Sequence, residues 1–471
     1  MSNPTDTKGT EVHIIFGPPG TGKTTELMSL LETELKTHLP KEVAYVSFTK
    51  EGVEQGIQRA VDKFGFSRPS LPYFRTLHSL AFQQLKLKRP QVMAYKHYRQ
   101  FSKKMGMNFL GYYTADLTGS DDKYLFFDEL HRNNPSAAKM YIDDMDVEKL
   151  AYVVKNYKKF KDTFQLLDYT DMIKNFNIIN EPVPVKIAFV DEAQDLTTLQ
   201  WKMVWTAFRH CETIYIAGDD DQAIYQWSGA DVDYFLSIEG KQRVLKHSYR
   251  LPDSILRFSK RITSQISHRI TKDYNGIGIE GDVIYCNSID EVPIDLDQTY
   301  MFLSRNNVFL NDVEVSLMRR KLIYERKGVC SFSSKDMDLI KTYERSRHTR
   351  SMTDAEVYAL QGTLKKVYDL TQPWYEAFNW SVEKTNYIRD LVVNKVRRID
   401  PKIKVGTMHS VKGGEADNVV MLLDVTKTVY DNIHKNPDAE HRVFYVAATR
   451  AKKRLYVINS QSRFGYPIVR Y

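Results

Sequence analysis

"VHIIFGPPGTGKTTELMSLLETE", residues 12 to 34, runs from a short apolar stretch through three glycines into a segment with helical spacing of apolar residues. The first five residues read as a buried strand, and the last eleven as an amphipathic helix. Between them lies G-x-x-x-x-G-K-[ST], in the strand-to-helix context that gives this pattern its meaning. Gly17, Gly20 and Gly22 let backbone N–H groups curl round phosphate oxygens, and the helix N-terminus adds the positive end of its dipole. Lys23 supplies a point charge to the β and γ phosphates. Thr24 offers a hydroxyl to Mg²⁺. The predicted phosphate loop is therefore Gly17, Pro18, Pro19, Gly20, Thr21, Gly22, Lys23, Thr24 and Thr25.

A loop of this kind needs a carboxylate pair at a neighbouring strand end, and "KIAFVDEAQD" (186 to 195) provides one. Asp191 is expected to hold the metal, and Glu192 to polarise the attacking water. Further apolar runs, "VAYVSF" (43 to 48) and "TIYIAG" (213 to 218), complete a first strand set. A second begins with "RVLKHSY" (243 to 249), "GDVIYC" (281 to 286) and "TYMFLSR" (299 to 305), and resumes with "KVGTMHS", "NVVMLLD" and "RLYVIN" after residue 403. Alternation of such runs with helix-length segments predicts α/β architecture with parallel sheets. Two stretches interrupt it. "DVEKLAYVVKNYKKFKDTF" (146 to 164) lies in a helical insertion, and "DAEVYALQGTLKKVYDL" (354 to 370) reads as a helix in a second, strand-free one.

The 471 residues suffice for several structural units. Lysine and arginine (67) exceed aspartate and glutamate (59), giving a net charge of +8 that favours polyanionic partners. Three widely spaced cysteines, Cys211, Cys286 and Cys330, indicate neither a disulfide framework nor a zinc cluster. No apolar run has the length of a membrane helix, so a cytoplasmic protein without membrane contact is expected.

The ordered series "GPPGTGKTT", "SFTKEGVEQ", "TLHSLA", "DEAQD", "GDDDQAIYQWSGA", "HSYRLP", "TMHSVKGGEADNVV" and "YVAATRAKKRL" resembles the superfamily 1 helicases of the UvrD/Rep/PcrA type, from near residue 12 to about 460. The resemblance implies two RecA-like P-loop domains, each interrupted by a mostly helical insertion. Residues 1–78 and 180–240 would form the first, with 79–179 inserted. Residues 241–315 and 395–471 would form the second, with 316–394 inserted. It implies an ATP- and Mg²⁺-dependent single-stranded DNA translocase and DNA helicase of 3′→5′ polarity, acting at duplex junctions as a monomer beside replication or repair proteins.

Residue by residue, the resemblance makes Gln194 and Gln222 γ-phosphate sensors and Arg250 and Arg450 arginine fingers from the second domain. It sets Tyr249 against adenine, and Gly414 and Glu415 near the ribose. Phe48, Thr76, His78, Tyr225, Trp227, His409 and Phe464 match strand-contacting positions, the aromatic ones offering flat faces for bases. Asp219, Asp220 and Asp221 are expected to shape their turn and add outer-shell charge near Mg²⁺, and "KNYKKFK" (155 to 161) suits a polyanion. Departures are Ser228 in place of the family's arginine, Gly414 in "KGGE", and no glutamine motif among the sixteen residues before Gly17, which leaves selectivity for ATP open. Two other classes fit parts of the pattern: a nucleotide-dependent nucleic-acid switch or clamp, and a P-loop kinase or small-molecule ATPase. The second would not need "TMHSVKGGE" or a second α/β unit.

Overall fold

A computed structural model describes residues 9–111, 121–394 and 401–468. These pack as two compact units. The first comprises the chain up to Leu251 together with Thr263–Gly278 and Asp438–Arg442; the second holds Pro252–Ile262, Ile279–Pro437 and the chain from Val443.

The first unit is built on six strands: β1 (Glu11–Phe16), β2 (Val43–Ser47), β3 (Phe74–Thr76), β4 (Ile187–Asp191), β5 (Thr213–Gly218) and β6 (Lys241–Val244). They are all parallel, in the order β3-β2-β4-β5-β1-β6. Side chains alternate between two cores because successive residues of a strand face opposite sides. Ile14, Val46, Val190 and Ile216 join the core on one face. Ile15, Tyr45, Phe189 and Tyr215 join the core on the other, where helix α1 (Lys23–Glu34) contributes Leu27 and Leu31. Continuous apolar runs are what such two-sided burial demands.

The inserted helices form their own core around Phe101, Tyr124, Phe126, Leu130, Tyr157 and Phe160. Asp146 caps the helix Val147–Phe164 by accepting the Lys149 N–H. The following helix, Tyr169–Ile179, returns to the sheet with Met172, Ile173 and Phe176. In "KNYKKFK" the expected polyanion face is only half realised, because Tyr157, Phe160 and Lys161 point inward and Lys155, Lys158 and Lys159 outward.

The second unit carries β7 (Asp282–Cys286), β8 (Tyr300–Ser304), β9 (Tyr324–Arg326), β10 (Val329–Cys330), β11 (Ile403–Thr407), β12 (Ala416–Leu422) and β13 (Ala451–Ile458), ordered β10-β9-β11-β8-β12-β13-β7. All pairings are parallel except that of β9 with β10. A separate cluster around Tyr343, Trp374, Phe378 and Leu391 packs its helical insertion.

Three expectations change. The run at 243–249 does not start the second sheet; β6 pairs with β1 as an edge strand of the first. The stretch 316–394 is not strand-free, since β9 and β10 extend the second sheet. The helix expected at 354–370 spans only Asp354–Leu360. The chain leaves the helix at Gln361, whose ψ is 129°, and Gly362 follows with a left-handed φ of 80°, a conformation glycine adopts at little cost, so the turn does not resume a helix.

Ile216 lies at the centre of β5 with no solvent exposure. Its replacement by alanine is expected to lower the unfolding free energy of the first unit by about 2–5 kcal/mol, measured by chemical denaturation followed by tryptophan fluorescence.

Candidate functional site

Parallel strands end at one edge, and there the first unit gathers its chemistry. The loop after β1 is tied to the next strand by the Gly17 N–H donating to Gly218 O at 3.0 Å. Gly20 and Gly22 have φ of 74° and 76°, and Gly22 starts α1 in the left-handed region. Thr21 Oγ1 donates to Pro18 O at 2.8 Å, closing the turn. A Cβ on Gly17 would fall 1.9 Å from Lys23 Cγ, so the lysine folds back over the loop only because residue 17 is glycine. Its Nζ stands 3.5 Å from Glu192 Oε1. Thr24 is half-buried and Thr25 is exposed, within 3.3 Å of Arg59.

Asp191 ends β4 beneath this loop. The Tyr45 hydroxyl donates to it at 2.6 Å, and the Glu192 N–H at 2.9 Å. Burial, then the neighbouring Glu192 charge, push the Asp191 carboxyl up to about 6 despite the phenol and Lys23. Glu192 adopts φ 54°, a left-handed backbone that costs a non-glycine residue energy and re-aims the side chain. Gln194 bridges the two acidic turns: its amide nitrogen donates to Glu192 Oε2 at 2.5 Å, and its carbonyl accepts the Asp219 N–H at 3.0 Å. Gln222 donates to Asp219 Oδ2 at 2.7 Å.

The three aspartates are not free charge for a metal. Lys272, with 0% side-chain exposure, contacts Asp219, Asp220 and Asp221 at 3.1, 2.6 and 2.8 Å. Arg269 forks onto Asp221 at 2.8 and 2.6 Å, and Arg442 Nε donates to Asp220 O at 2.9 Å. The expected outer-shell role is replaced by a buried ion network that fixes the Gln222 turn. Sequence reading missed these cations, because "SHRITKDY" (267 to 274) carries no local signal and only folding brings it to residues 219–221.

Arg250 was expected in the second domain but packs with the first unit. Ser248 Oγ donates to Pro19 O at 2.7 Å and the Tyr249 N–H to Gly20 O at 2.8 Å, so a Cβ on Gly20 would meet Arg250 Cβ at 2.5 Å. Tyr249 is 74% exposed beside this contact. In the second unit Gly414, Glu415 and Arg450 come together where β12 and β13 begin: Ala416 N–H donates to Arg450 O, and Lys452 pairs with Glu415 at 3.4 Å. Arg450 is buried, its Nε donating to Val446 O at 2.9 Å.

Among expected strand contacts, Phe48 and Tyr225 lie together, ring centroids 5.6 Å apart. Trp227 instead stacks on Phe126 at 6.1 Å and packs against the insertion core, which takes one of its faces. Thr76 caps a helix by accepting the Ser79 N–H, and His78 sits edge-on to Tyr169 at 5.4 Å, kept neutral down to about 4 by burial. In the second unit His409 is held down to about 3 by burial, then Arg305 and Lys412. Phe464 packs on Tyr430 at 5.5 Å, with Arg463 over its ring. Among the described residues, no group of three or more His, Cys, Asp or Glu is arranged to hold a metal, and no helix is long and apolar enough to cross a membrane.

Two outcomes test this electrostatic picture. Folded Asp191 holds its proton to higher pH than an unfolded carboxyl, so its contribution to stability is full below the ordinary carboxylate range and is lost as pH rises through about 6. Tyr45→Phe removes a donor to the charged form and is expected to raise that midpoint further, read by carbonyl-carbon NMR titration of Asp191. Lys272→Met removes the buried cation that all three carboxylates share, leaving Arg269 on Asp221 alone, and is expected to cost about 3–5 kcal/mol in denaturant unfolding.

Comparison with known proteins identifies the family. The UvrD/REP helicase N-terminal domain model matches residues 3–243, more than half of the chain, and the UvrD-like helicase C-terminal domain model matches 402–458. The ATP-dependent DNA helicase PcrA of Staphylococcus epidermidis (strain RP62A) is 28% identical over 164 residues, 32% of this chain and 22% of that protein. The ATP-dependent DNA helicase Rep of Buchnera aphidicola (subsp. Baizongia pistaciae) is 21% identical over 367 residues, 68% of this chain and 54% of that protein. The chain thus spans from about a fifth to about half the length of these relatives. The crystal structure of arterivirus nonstructural protein 10, a helicase, aligns over 98% of this chain and 62% of its own at 9% identity, with a TM-score of 0.38. With its N-terminal half and the last strands of its second sheet both matched, the chain belongs to the UvrD/REP helicase family.

Proposed function

We propose that this chain is an ATP-driven motor that steps along single-stranded DNA in the 3′→5′ direction and opens duplexes ahead of it. The observation that carries the reading is the single edge of the first sheet, where the phosphate loop, Asp191, Glu192, Gln194 and Gln222 adjoin the Phe48–Tyr225 ring pair. Nucleotide chemistry and base stacking thereby share one rigid frame.

In this reading Lys23 releases Glu192 and turns to the β and γ phosphates. Glu192 is then free to accept a proton from the attacking water, which Gln194 and Gln222 orient. Arg250 and Arg450 neutralise charge that builds on the transferred phosphoryl group. The protein ligands for Mg²⁺ are Thr24 and Asp191, hard oxygen donors suited to that ion, which would supply charge neutralisation at the phosphates. The fit is supported by the donor chemistry: two adjoining carboxylates, Asp191 and Glu192, stand at the strand end beside the phosphate loop, and Lys23 reaches to within 3.5 Å of the second. Tyr249 stacks the base, and Glu415 with Gly414 receives the ribose. Phe48, Tyr225, Trp227, His78, Thr76, His409 and Phe464 are the strand contacts, and phosphate contacts should make affinity fall with salt.

Lys23→Ala and Glu192→Gln are each expected to abolish DNA-stimulated ATP hydrolysis with the circular dichroism spectrum unchanged. Wild-type protein should displace a strand from a 3′-tailed duplex and not from a 5′-tailed one. Wild-type hydrolysis by both variants, or displacement only from 5′ tails, would refute the assignment.

A further inference from the structure

The helical insertion of the first unit contains a cavity of about 350 Å³ whose lining includes none of the site residues named above; it is formed by Tyr95, Tyr98, Gly111, Glu129, Asp168 and Tyr169 among others. Its rings and charges are unusual. Tyr95 is 59% exposed and Tyr169 58%, where an apolar ring left in water is a cost unless something covers it. Tyr98 is braced from behind by Tyr157, whose ring stacks with it at 6.4 Å. The helix Tyr95–Met105 interleaves these rings with exposed Lys96 and Arg99, the guanidinium of Arg99 lying 5.9 Å from the Tyr95 ring. Aromatic faces beside basic side chains are the surface that single strands select.

The acidic groups at the cavity are not equivalent. Asp168 is satisfied by Arg132 at 2.9 Å and Lys161 at 2.6 Å. Both cations are further shared, Arg132 with Asp128 and Asp171, Lys161 with Asp171. Glu129 gains little from them: no hydrogen bond among the described residues ends on its carboxyl. Burial, then the Asp168 charge, push Glu129 up to about 7, while Arg132 and Lys161 oppose this and Asp128 adds to it. The other titratable groups here are Tyr98, raised further by burial, and His78 against Tyr169, neutral down to about 4.

We propose that this cavity is a side pocket for one unstacked base of the bound strand, with the exposed Tyr95 against its ring, Tyr98 as part of the wall, and the Glu129 carboxyl hydrogen-bonded to its edge. The proposal rests on the strand-binding reading above. A neutral carboxyl donates once and accepts once, matching the adjacent donor and acceptor found on the edge of any base. An ionised one only accepts, and repels the phosphates on either side. The pocket is therefore sequence-tolerant, and its hold weakens as pH rises through about 7.

The test is binding of the full chain, without nucleotide, to a mixed-sequence oligodeoxynucleotide carrying one 2-aminopurine, read by fluorescence between pH 6 and pH 8. Tyr95→Ala, at an exposed position, is expected to weaken binding roughly 5- to 150-fold, as the loss of one stacked base does. Glu129→Gln keeps a donor and an acceptor without charge. It is expected to bind at pH 8 as wild type does at pH 6, with a flat pH profile. Wild-type protein that binds the strand while both variants match it at every pH overturns the pocket alone. Wild-type protein that binds no strand overturns the pocket together with the proposed function.

Discussion

Every strand of the first sheet runs in the same direction, so every strand must deliver its following loop to the same edge. That constraint brings together residues as far apart in sequence as Lys23, Asp191 and Gln222 without a contact designed for each pair. It also explains why the site is polar above and fully apolar below. A parallel sheet buried on both faces can expose hydrogen-bonding groups only at its ends. The Gly17 N–H to Gly218 O bond extends the β1–β5 ladder into the loop itself, so the phosphate cradle inherits the rigidity of the sheet.

Two acidic turns sit side by side at that edge and are treated in opposite ways. Asp219, Asp220 and Asp221 receive Lys272 and Arg269, with Arg442 holding the backbone between them. Burying so many charges is affordable only because each finds a partner. At the other turn Lys23 lies 3.5 Å from Glu192, and burial, then the Glu192 charge, push the Asp191 carboxyl up to about 6. A cluster neutralised by buried cations fixes a turn. The first turn is thereby a structural element, although it looks the more charged in sequence; under the proposed function the second does the chemistry.

That last point marks what sequence can carry. The phosphate loop, the carboxylate pair and most strands were legible because they depend on local order: a glycine spacing, an apolar run, a turn. The partners of Asp219–Asp221 lie about fifty and over two hundred positions away, at Lys272 and Arg442, and no local pattern announces them. β6 was misassigned for a related reason. Its residues Lys241–Val244 are largely exposed, as an edge strand allows, so the text gives no sign of which sheet it joins. Likewise β9 and β10 are too short to register as periodic runs. Tyr95 and Tyr98 interleave with Lys96 and Arg99 in plain view, but that alternation gained meaning only once a cavity was found beside it.

The placement of Arg250 bears on the proposed nucleotide site. Because Ser248 and Tyr249 bond directly to Pro19 and Gly20, the backbone of the next residue is held to the phosphate loop by the packing of the first unit alone. Its Cβ stands so close to Gly20 that no larger residue fits there. Arg250 is thus held beside the phosphate loop by contacts within the first unit. Arg450 belongs to the other unit, where its guanidinium rests on the carbonyl of Val446 at the end of its own helix. A cation parked on a helix C-terminus is stabilised there by the dipole and must leave it to meet a phosphate. The two arginines therefore differ in anchoring: Arg250 is held within the unit that carries the phosphate loop, and the Arg450 guanidinium is engaged within the other, so under the proposed function only Arg450 has to change its own contacts to act.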